Sequence, residues 1–572
     1  MNQTLESIDS GSNYSFYDKM QPASYPRSMF NLSHLYTCTI DNAGALIPVL
    51  CIPTLPTDSF DISVSALLRV MPQVVPPMSR QRLYFHGFYC RDGDLWCNFN
   101  TFMKKGYSGN VLKQVPTIKS STWIDGESST ATVTPNSVAN YLGLPIGLSF
   151  ATKMMNKISA LPFFMYLKIW RDYYMNKNFY IDNSVILPDD DGNFRLGDNG
   201  RLLTNPSGRV PDELLLGRML YRDYPSDYFT SALPFQQRGN APTLDTKLVL
   251  NTPADIVGYD AATGVVHFDN TFISTQVGSK MMLSTSSNNT MSISTDGTAS
   301  ATISSPAHSR LGVNFAAATV ETTITLDTIR QLAIAQTELE KMARTDGSYA
   351  EFGLTFYGRQ SKTAVDYKPL YIGGTYQSIA FTEVLQTTPT ENSPLGTFGG
   401  HGISSQQNGY IGHLDCDDYG YLMIIASIMP DVYYSQGIDK HWTDLLQSDF
   451  FLPGREKLGL VPILNRELYA LSTSSSLDDD LFAYQSPFDT FRYLPNVIRG
   501  KIADITNESF SPYTQARIFS TMPTYSQSFA RADNVRKDYL SAPSENAYIM
   551  QAQFDIRAVR PLPYKAEPAS II

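Results

Sequence analysis

Charged residues are scarce in this 572-residue sequence, where Asp, Glu, Lys and Arg together make up 17%. The five cysteines show no CxxC or other spacing typical of zinc ligands. We therefore expect Cys38, Cys51, Cys90, Cys97 and Cys416 to be reduced and to pack as small hydrophobic residues. No apolar run is long enough to span a bilayer, and the N-terminus lacks the apolar core and basic cluster of a signal peptide. These absences predict a protein made in a cytoplasm, without membrane insertion.

Catalytic and metal-binding patterns are also lacking. The seven histidines form no HxH or HExxH pair, and no serine lies in a GxSxG elbow. Residues 189–193 (DDDGN) begin like a calcium loop, but the glycine is out of register and no glutamate closes the loop, which favours a surface turn. Residues 396–402 (GTFGGHG) lack the Lys-Ser/Thr of a phosphate loop and are predicted to form a flexible loop. The sequence therefore predicts a protein that is not an enzyme, with no catalytic residues, no cofactor and no metal site.

An extended basic surface is lacking as well. The net charge of -10 and the pI near 5.3 argue against a protein that coats nucleic acid by its own charge. Any contact with nucleic acid must then be local, or provided by another chain. The candidates are basic residues with Tyr and Phe nearby that can stack on unpaired bases: Lys104, Lys105, Arg531, Arg536 and Lys537. Ordinary solvated surface charge is the alternative interpretation for each of them.

Aromatic and turn-forming residues, in contrast, are abundant, with 12% aromatics, 34 Pro and 36 Gly. This balance is typical of strands joined by many turns, with large surfaces buried between subunits. The longest apolar run, from Tyr419 to Tyr434, is rich in β-branched and aromatic residues and predicts a strand buried on both faces. The other apolar segments are then predicted to be strands of a sandwich that closes over it.

Three further strands are predicted near the N-terminus. Apolar and polar residues alternate from Phe60 to Val70, which is typical of a half-buried strand. Residues 46–52 contain Pro48 and predict an edge or bulged strand, and residues 82–89 provide the next one.

Two segments show helical spacing instead. Residues 159–177 carry apolar side chains at this spacing, with Pro162 in the first turn. Residues 327–342 repeat the pattern, with Asp327 as the predicted N-cap. Two helices in so long a chain leave β structure dominant.

Composition divides the chain into four segments. Residues 1–33 are polar and are expected to form an N-terminal arm, disordered unless another surface orders it. Residues 34–237 and 325–572 carry the strand patterns and are predicted to form the two parts of the main fold. Between them, residues 238–324 include Ser/Thr-rich tracts that could be a flexible linker, but alternation within 265–273 favours short strands. We interpret this segment as a β-rich insertion that protrudes from the surface.

Short motifs recur at intervals over most of the chain. They are LP at 161–162, IW at 169–170, DYFTSALP at 227–234, YIGG at 371–374, YSQGID at 434–439, LNRELY at 464–469, FAYQ at 482–485, FRYLPN at 491–496 and RPLP at 560–563. In this order they resemble the major capsid protein of the microviruses, small single-stranded DNA phages, in their gokushovirus-like branch. Any one motif is weak, but the ordered series is hard to obtain by chance.

The resemblance implies an eight-stranded antiparallel jelly roll of the viral capsid type, with long loop insertions and a few helices. It also implies assembly through pentamers into a T=1 icosahedral shell around circular single-stranded DNA. The insertion would form a protrusion at the threefold axis and serve in host attachment, with these candidate contact residues: Ser284, Thr285, Asn288, Asn289, Thr295 and Thr298. The expected location is the capsid of the virion, after synthesis in the bacterial host cytoplasm.

The same resemblance implies a set of partners. They are other copies of the chain, the single-stranded DNA genome, a small basic DNA-binding protein, an internal scaffolding protein, a minor pilot protein and a host surface receptor.

A different class of function stays open from the residues alone. Asp415, Asp417 and Asp418 lie just before the buried strand, and paired carboxylates can serve as acid and nucleophile in glycan cleavage. A soluble β-sandwich protein that binds or cleaves carbohydrate is therefore the alternative function. A solvated turn is the alternative interpretation of the same three residues.

Overall fold

The computed structural model divides the chain into two compact units, Met1–Arg238 with Glu340–Ile572, and Gly239–Leu339. It describes residues 26–96, 98–105, 115–118, 130–147, 149–151, 157–179, 219–243, 326–345, 349–359, 368–385, 398–470, 475–504 and 510–565, together with short strands within 185–202 and 247–321.

One antiparallel sheet of nine strands forms the centre of the first unit. In chain order its strands are β1 (Ser28–Asn31), β2 (His34–Ile40), β3 (Ile47–Thr54), β4 (Ser59–Val70), β5 (Gln81–Arg91), β6 (Leu370–Leu385), β7 (Phe398–Asp415), β8 (Gly420–Pro430) and β9 (Tyr548–Arg560). Their spatial order is β1-β9-β4-β7-β6-β5-β8-β3, and β2 also pairs with β9.

The sheet curls into two layers because β6 takes part in both. Its first part, from Leu370 to Ile379, pairs with β5, and its second part, from Ala380 to Leu385, pairs with β7. One layer therefore runs β2-β9-β4-β7 and the other β3-β8-β5-β6. This arrangement confirms the predicted antiparallel jelly roll.

The sheet has nine strands instead of the predicted eight because the strand that pairs with β9 along this edge is interrupted. β1 and β2 lie end to end along β9, separated by Leu32 and Ser33, which bond to the backbone of Ile556 instead of continuing the ladder. Ordered structure thus begins before residue 34, because residues 28–31 of the predicted arm pair with β9.

Alternation along β4 places its apolar side chains in the core between the two layers. Phe60, Ile62 and Val64 are at most 1% exposed, whereas Asp61 is exposed. The half-buried strand predicted here is confirmed. β3 is likewise an edge strand, with a register shift next to Pro48, as predicted.

β8 is buried on both faces, as predicted, but the two faces have different covers. Leu422 and Ile424 point into the core between the layers, while Met423 and Ile425 belong to a second core. Helix α1 (Leu161–Ile169) covers this second face, where we had predicted a strand. Each fully buried Leu or Ile here contributes about 1.5–3 kcal/mol, which explains why neither face is left in water.

The helix α1 is shorter than the predicted residues 159–177. Pro162 lies in its first turn, as predicted, and nearly all of its side chains are buried. The chain then continues into a π-helical turn, Trp170–Tyr174. The Tyr166 hydroxyl donates to the carbonyl of Leu46 (2.7 Å) and the Trp170 indole to that of Tyr221 (3.0 Å), which fixes α1 to the segments beside β3.

Two further helices follow the insertion, α2 (Leu326–Ala343) and α3 (Tyr349–Tyr357). The prediction of α2 is confirmed, but Asp327 lies inside its first turn and is not the N-cap. Ile329 is 49% and Ile334 is 60% exposed, whereas Leu332, Ala335, Leu339 and Met342 are half-buried. The helix α3 was not predicted.

The prediction of a flexible loop at residues 396–402 is wrong for residues 398–402, which the structure describes. Residues 398–402 begin β7, where His401 pairs with Thr382 of β6. Pairing with β6 outweighs the low strand propensity of the glycines. Residues 189–193 lie outside the described residues.

Shorter elements connect these. The strands are Thr130–Thr132, Ser149–Ala151, Val185–Ile186, Arg195–Leu196, Arg201–Leu202, Val461–Leu464 and Leu481–Gln485. The α-helical turns are Asp92–Leu95, Phe99–Met103, Val138–Tyr141, Asn465–Leu468, Ser475–Asp478 and Gln527–Ala530. The 3₁₀ turns are Lys177–Phe179, Lys440–Trp442, Gln447–Asp449, Arg455–Lys457, Asp489–Phe491, Gly500–Ala503 and Ser511–Tyr513.

The described strands of the second unit form small antiparallel sheets nested along the sequence, and most of α2 belongs to the same unit. Lys247–Val249 pairs with Thr319–Glu321. Asp255–Asp260 then pairs with Ser309–Asn314 and with Val266–Phe268. Met281–Thr285, Met291–Thr295 and Ala299–Ile303 form a third sheet. Of the alternating residues 265–273, the structure describes Val266–Phe268 as a strand, and the others lie outside the described residues.

The cysteines in the described part of the chain are free thiols, as predicted. Cys90 and Cys416 are buried and Cys38 and Cys51 are half-buried, whereas Cys97 lies outside the described residues. Burial raises the pKa of each of these four thiols to about 12. Among the described residues, no helix is long and apolar enough to cross a membrane.

Candidate assembly surface

Two loops of the first unit expose large apolar side chains. They are residues 439–458, after β8, and residues 488–497, and we call them the apolar loops. Their large side chains are between 40% and 86% exposed: Trp442, Leu445, Leu446, Phe450, Phe451, Leu452, Leu458, Phe491, Tyr493, Leu494 and Val497. At about 150–200 Å² for a large side chain, the exposed area is on the order of 1,000 Å². This exceeds the roughly 300–600 Å² of the largest apolar patch on a typical monomer and indicates an interaction surface.

The first apolar loop is held in shape by its own hydrogen bonds. A carboxylate oxygen of Asp449 accepts the backbone N–H groups of Leu445 (3.0 Å) and Leu446 (2.8 Å). These bonds hold the pKa of Asp449 below its usual range. The Arg455 guanidinium donates to the carbonyl of Phe450 (2.9 Å). The apolar side chains are therefore presented by an ordered backbone, which lowers the entropy cost of binding.

The two loops lie side by side. The rings of Phe451 and Phe488 are 5.3 Å apart in an edge-on contact, and Phe488 adopts a left-handed backbone with φ of 60°. Arg499, just after the second loop, donates to Asp439 at the start of the first (2.8 Å). The exposed area thus belongs to one surface.

A half-buried polar cluster joins the segment before the first apolar loop to residues 227–230. One carboxylate oxygen of Asp227 accepts the backbone N–H groups of Phe229 (2.9 Å) and Thr230 (2.7 Å), and the other accepts the hydroxyl of Tyr434 (2.8 Å). Burial raises the pKa of Tyr434, so its hydroxyl stays a donor. The motif at 227–234 is thereby joined to the segment that leads into the first apolar loop.

Two other motifs meet at the same place. The hydroxyl of Tyr228 donates to Glu467 (3.0 Å), and the side-chain amide of Gln485 donates to the carbonyl of Tyr228 (3.1 Å). Burial raises the pKa of Glu467. A third core lies beneath these bonds: Phe229, Ala232, Ile463, Leu468, Phe482, Ala483 and Phe529. Four of the motifs that carry the sequence resemblance, at 227–234, 434–439, 464–469 and 482–485, therefore meet in one place.

Arg517, which no sequence motif marks, is the charged centre of this region. Its guanidinium carbon lies 4.1 Å from the ring centre of Phe529 and 4.4 Å from that of Tyr224. It also donates to the hydroxyl of Tyr434 (3.3 Å). Such cation–π contacts contribute about 1–2 kcal/mol each when the pair is shielded from water.

The predicted DNA-facing residues fall into two groups. Lys104 and Lys105 are exposed next to a short helical turn. Arg531 lies 2.7 Å from Asp533, Lys537 lies 2.6 Å from Asp41, and Arg536 pairs with Asp538. Arg531 and Arg536 also line one cavity of about 380 Å³, together with Arg517. The three charges in the second group are thus balanced by aspartates.

The predicted attachment residues lie in the second unit. Ser284 and Thr285 are on the strand Met281–Thr285, and Thr295 ends the neighbouring strand Met291–Thr295. Asn288, Asn289 and Thr298 lie outside the described residues.

The carboxylates of the alternative glycan hypothesis are engaged in ion pairs. Asp417 meets the Arg91 guanidinium (2.5 Å), and Asp415 lies 3.3 Å from His413. A hydrogen bond from Arg91 is the main cause that lowers the pKa of Asp417, and a hydrogen bond from Ser59 is the main cause that lowers the pKa of Asp415. A general acid would need a raised pKa, which neither carboxylate has. Both side chains are mostly exposed, Asp415 at the end of β7 and Asp417 in the turn between β7 and β8, as expected for solvated carboxylates. No cluster of three or more His, Cys, Asp or Glu able to hold a metal occurs among the described residues.

Comparison with known proteins agrees with this architecture. Residues 18–570 match the family model described as Capsid protein (F protein). The chain is 24% identical to capsid protein VP1 of Chlamydia phage 1, over 96% of this chain and 97% of the relative. It is 25% identical to capsid protein VP1 of Bdellovibrio phage phiMH2K (92% of each) and 23% to that of Spiroplasma virus 4 (95% of each). The chain therefore belongs to the Capsid protein (F protein) family, and its resemblance to the microvirus capsid proteins is confirmed.

Proposed function

We propose that this protein is the major capsid protein of its virion and assembles through pentamers into a T=1 icosahedral shell around a circular single-stranded DNA genome. Membership of the capsid family already implies a structural, non-enzymatic role and self-assembly in a phage virion. The exposed area of the apolar loops supports self-association of the subunit, whereas the pentamers, the T=1 geometry and the circular genome are proposed from the family resemblance. A monomer would leave this area in water, whereas about 800 Å² per partner is enough for a specific, stable interface.

Charge supports the proposal about the genome. The net charge is -10, and Arg531, Arg536 and Lys537 are paired to aspartates, so we do not expect the chain to neutralise the genome by its own charge. A small basic DNA-binding protein would neutralise most of the genome, and Lys104 and Lys105 are the remaining candidates for direct contact. The internal scaffolding protein and the minor pilot protein complete the proposed set of partners.

We assign host attachment to the insertion, as a protrusion at the threefold axis. Its nested strand pairs bring the two ends of the insertion together at Lys247–Val249 and Thr319–Glu321. A segment closed in this way can vary in sequence without changing the jelly roll. Polar side chains of the third small sheet, such as Ser284 and Thr295, are the proposed receptor contacts.

The mass of the purified protein tests the shell. Light scattering over a range of protein and salt concentrations should detect pentamers or shell-sized particles, which electron microscopy would then image. Apolar burial should keep the particles intact at high salt. Monomers alone, even after co-expression with the candidate scaffolding protein, would refute the proposal.

A deletion separates the shell from attachment. Asp260 and Ser309 face each other across one strand pair, so an Asn-Gly turn can replace residues 261–308 as a two-residue hairpin loop. We expect this variant to form shells of normal size while host-cell binding is lost. Failure to assemble, although the subunit still melts cooperatively, would contradict the assignment of a separate protrusion.

A further inference from the structure

A strip of aromatic rings lies on β5 and β6, on the face that α1 covers elsewhere. Its members are Tyr376, Tyr84, His86, Tyr371, Phe88, Tyr173 and Tyr174, and we call it the aromatic strip. Ring centres are 5.8 Å apart for Tyr376 and Tyr84, 5.9 Å for Tyr84 and His86, and 6.0 Å for His86 and Tyr371. Phe88 continues the series at 5.5 Å from Tyr371. The rings are thus close enough to form a continuous surface.

The strip is half open to solvent. Tyr376 is 60%, Tyr371 46% and Tyr173 42% exposed, while Phe88 is buried beneath them. The YIGG motif allows this arrangement, because a Cβ at Gly374 would lie 2.7 Å from the hydroxyl of Tyr371. A large side chain at this position would push the ring of Tyr371 away from the strip.

Positive charge accompanies the rings at one end. The Arg222 guanidinium lies 5.0 Å from the ring centre of Tyr84, and Arg82 comes two residues before Tyr84 on the same side of β5. Arg82 shares the single carboxylate of Asp431 with Arg80, which is 63% exposed. Two arginines against one aspartate leave net positive charge beside the exposed rings.

We infer that the aromatic strip binds single-stranded DNA by stacking unpaired bases on Tyr376 and Tyr371, with Arg80 and Arg82 near the phosphates. Rings with a free face beside arginines fit unpaired bases, which offer a π-face whatever their sequence. Duplex DNA hides these faces, so it does not fit the strip. A sugar would also stack on tyrosine, but the net positive charge favours a polyanion.

The test measures, by fluorescence anisotropy, how tightly a labelled oligo(dT) of ten nucleotides binds to the full-length, unassembled chain. Tyr376→Ala and Tyr371→Ala should each weaken binding at least about fivefold. Tyr376→Phe keeps the ring and should bind like the wild type. Tyr564→Ala, which removes a 73% exposed tyrosine near the end of β9, is the matched control and should have no effect. Arg80→Ala should reduce the salt dependence of binding.

Three results would overturn the inference. The first is that Tyr376→Ala binds oligo(dT) as tightly as the wild type, and the second is that duplex DNA binds as tightly as oligo(dT). The third is that neutral oligosaccharides displace oligo(dT), which would indicate a carbohydrate-binding surface. Thermal melting of each variant excludes misfolding as the cause of a loss. The inference rests on the proposed enclosure of a single-stranded DNA genome and names the surface that contacts it. Because binding is measured on unassembled chains, its failure is distinguishable from a failure to assemble.

Discussion

Replacement of Leu494 by aspartate should block assembly without unfolding the subunit. Leu494 is 86% exposed on the second apolar loop, so its side chain contributes little to the isolated fold. Substitutions at such sites change the free energy of unfolding by about 0.5 kcal/mol or less. If a neighbouring copy covers it, Leu494 contributes about 1.5–3 kcal/mol to the interface. Leu494→Ala should then weaken subunit association by about one to two orders of magnitude.

The aspartate should act more strongly than the alanine, because an unpaired charge would be buried in the interface at a cost of several kcal/mol. The assay is the protein concentration at which particles appear in light scattering, together with the melting temperature of the subunit. Ile334→Asp is the matched control, because Ile334 is 60% exposed but lies on α2 in the second unit. Particle formation by Leu494→Asp at the wild-type concentration would refute the reasoning.

Two further predictions concern the subunit. Gly437→Ala should lower the free energy of unfolding by about 3 kcal/mol or more, since its Cβ would lie 1.9 Å from the carbonyl oxygen of Glu467. Gly454→Ala, with open space around it but φ of 101°, should cost only about 1 kcal/mol, and urea unfolding compares the two. Burial is the main cause, and the nearby Asp418 the second, that raises the pKa of Asp92 from 3.8 to about 7. The protonated carboxyl group therefore stabilises the fold below pH 3.8, and this contribution is lost as the pH rises to about 7. Asp92→Asn should therefore become more stable relative to the wild type over that pH range; a melting-temperature difference independent of pH would contradict this.

Local patterns sufficed for the strands and for the existence of two helices. Alternation from Phe60 to Val70 could be read directly, because the period of two matches a sheet with one face in the core. The cover of β8 could not be read in this way. An apolar run shows that both faces are buried, but not that a helix packs on Met423 and Ile425 while strands pack on the other side.

The candidate site was only partly predictable for a related reason. Trp, Leu and Phe in the apolar loops look like core residues in the sequence. They are recognised as surface only because the hydrophobic cores form without them. Ion pairs between residues distant in sequence could not be predicted either. Nothing near Lys537 predicts that Asp41 neutralises it, because the two residues come together only when β9 joins the first strands.

The position of β9 has a consequence for synthesis on the ribosome. This strand lies between β2 and β4, so the edges of both remain unpaired until residues 548–560 have been made. Unpaired edges promote wrong pairing, and contacts so distant in sequence form slowly. A nascent or truncated chain therefore lacks the strand that joins its earliest elements, and only chains that reach Arg560 can present the finished layer to other subunits. Because this strand is made late in translation, incomplete polypeptides lack the finished layer and are not expected to enter the particle.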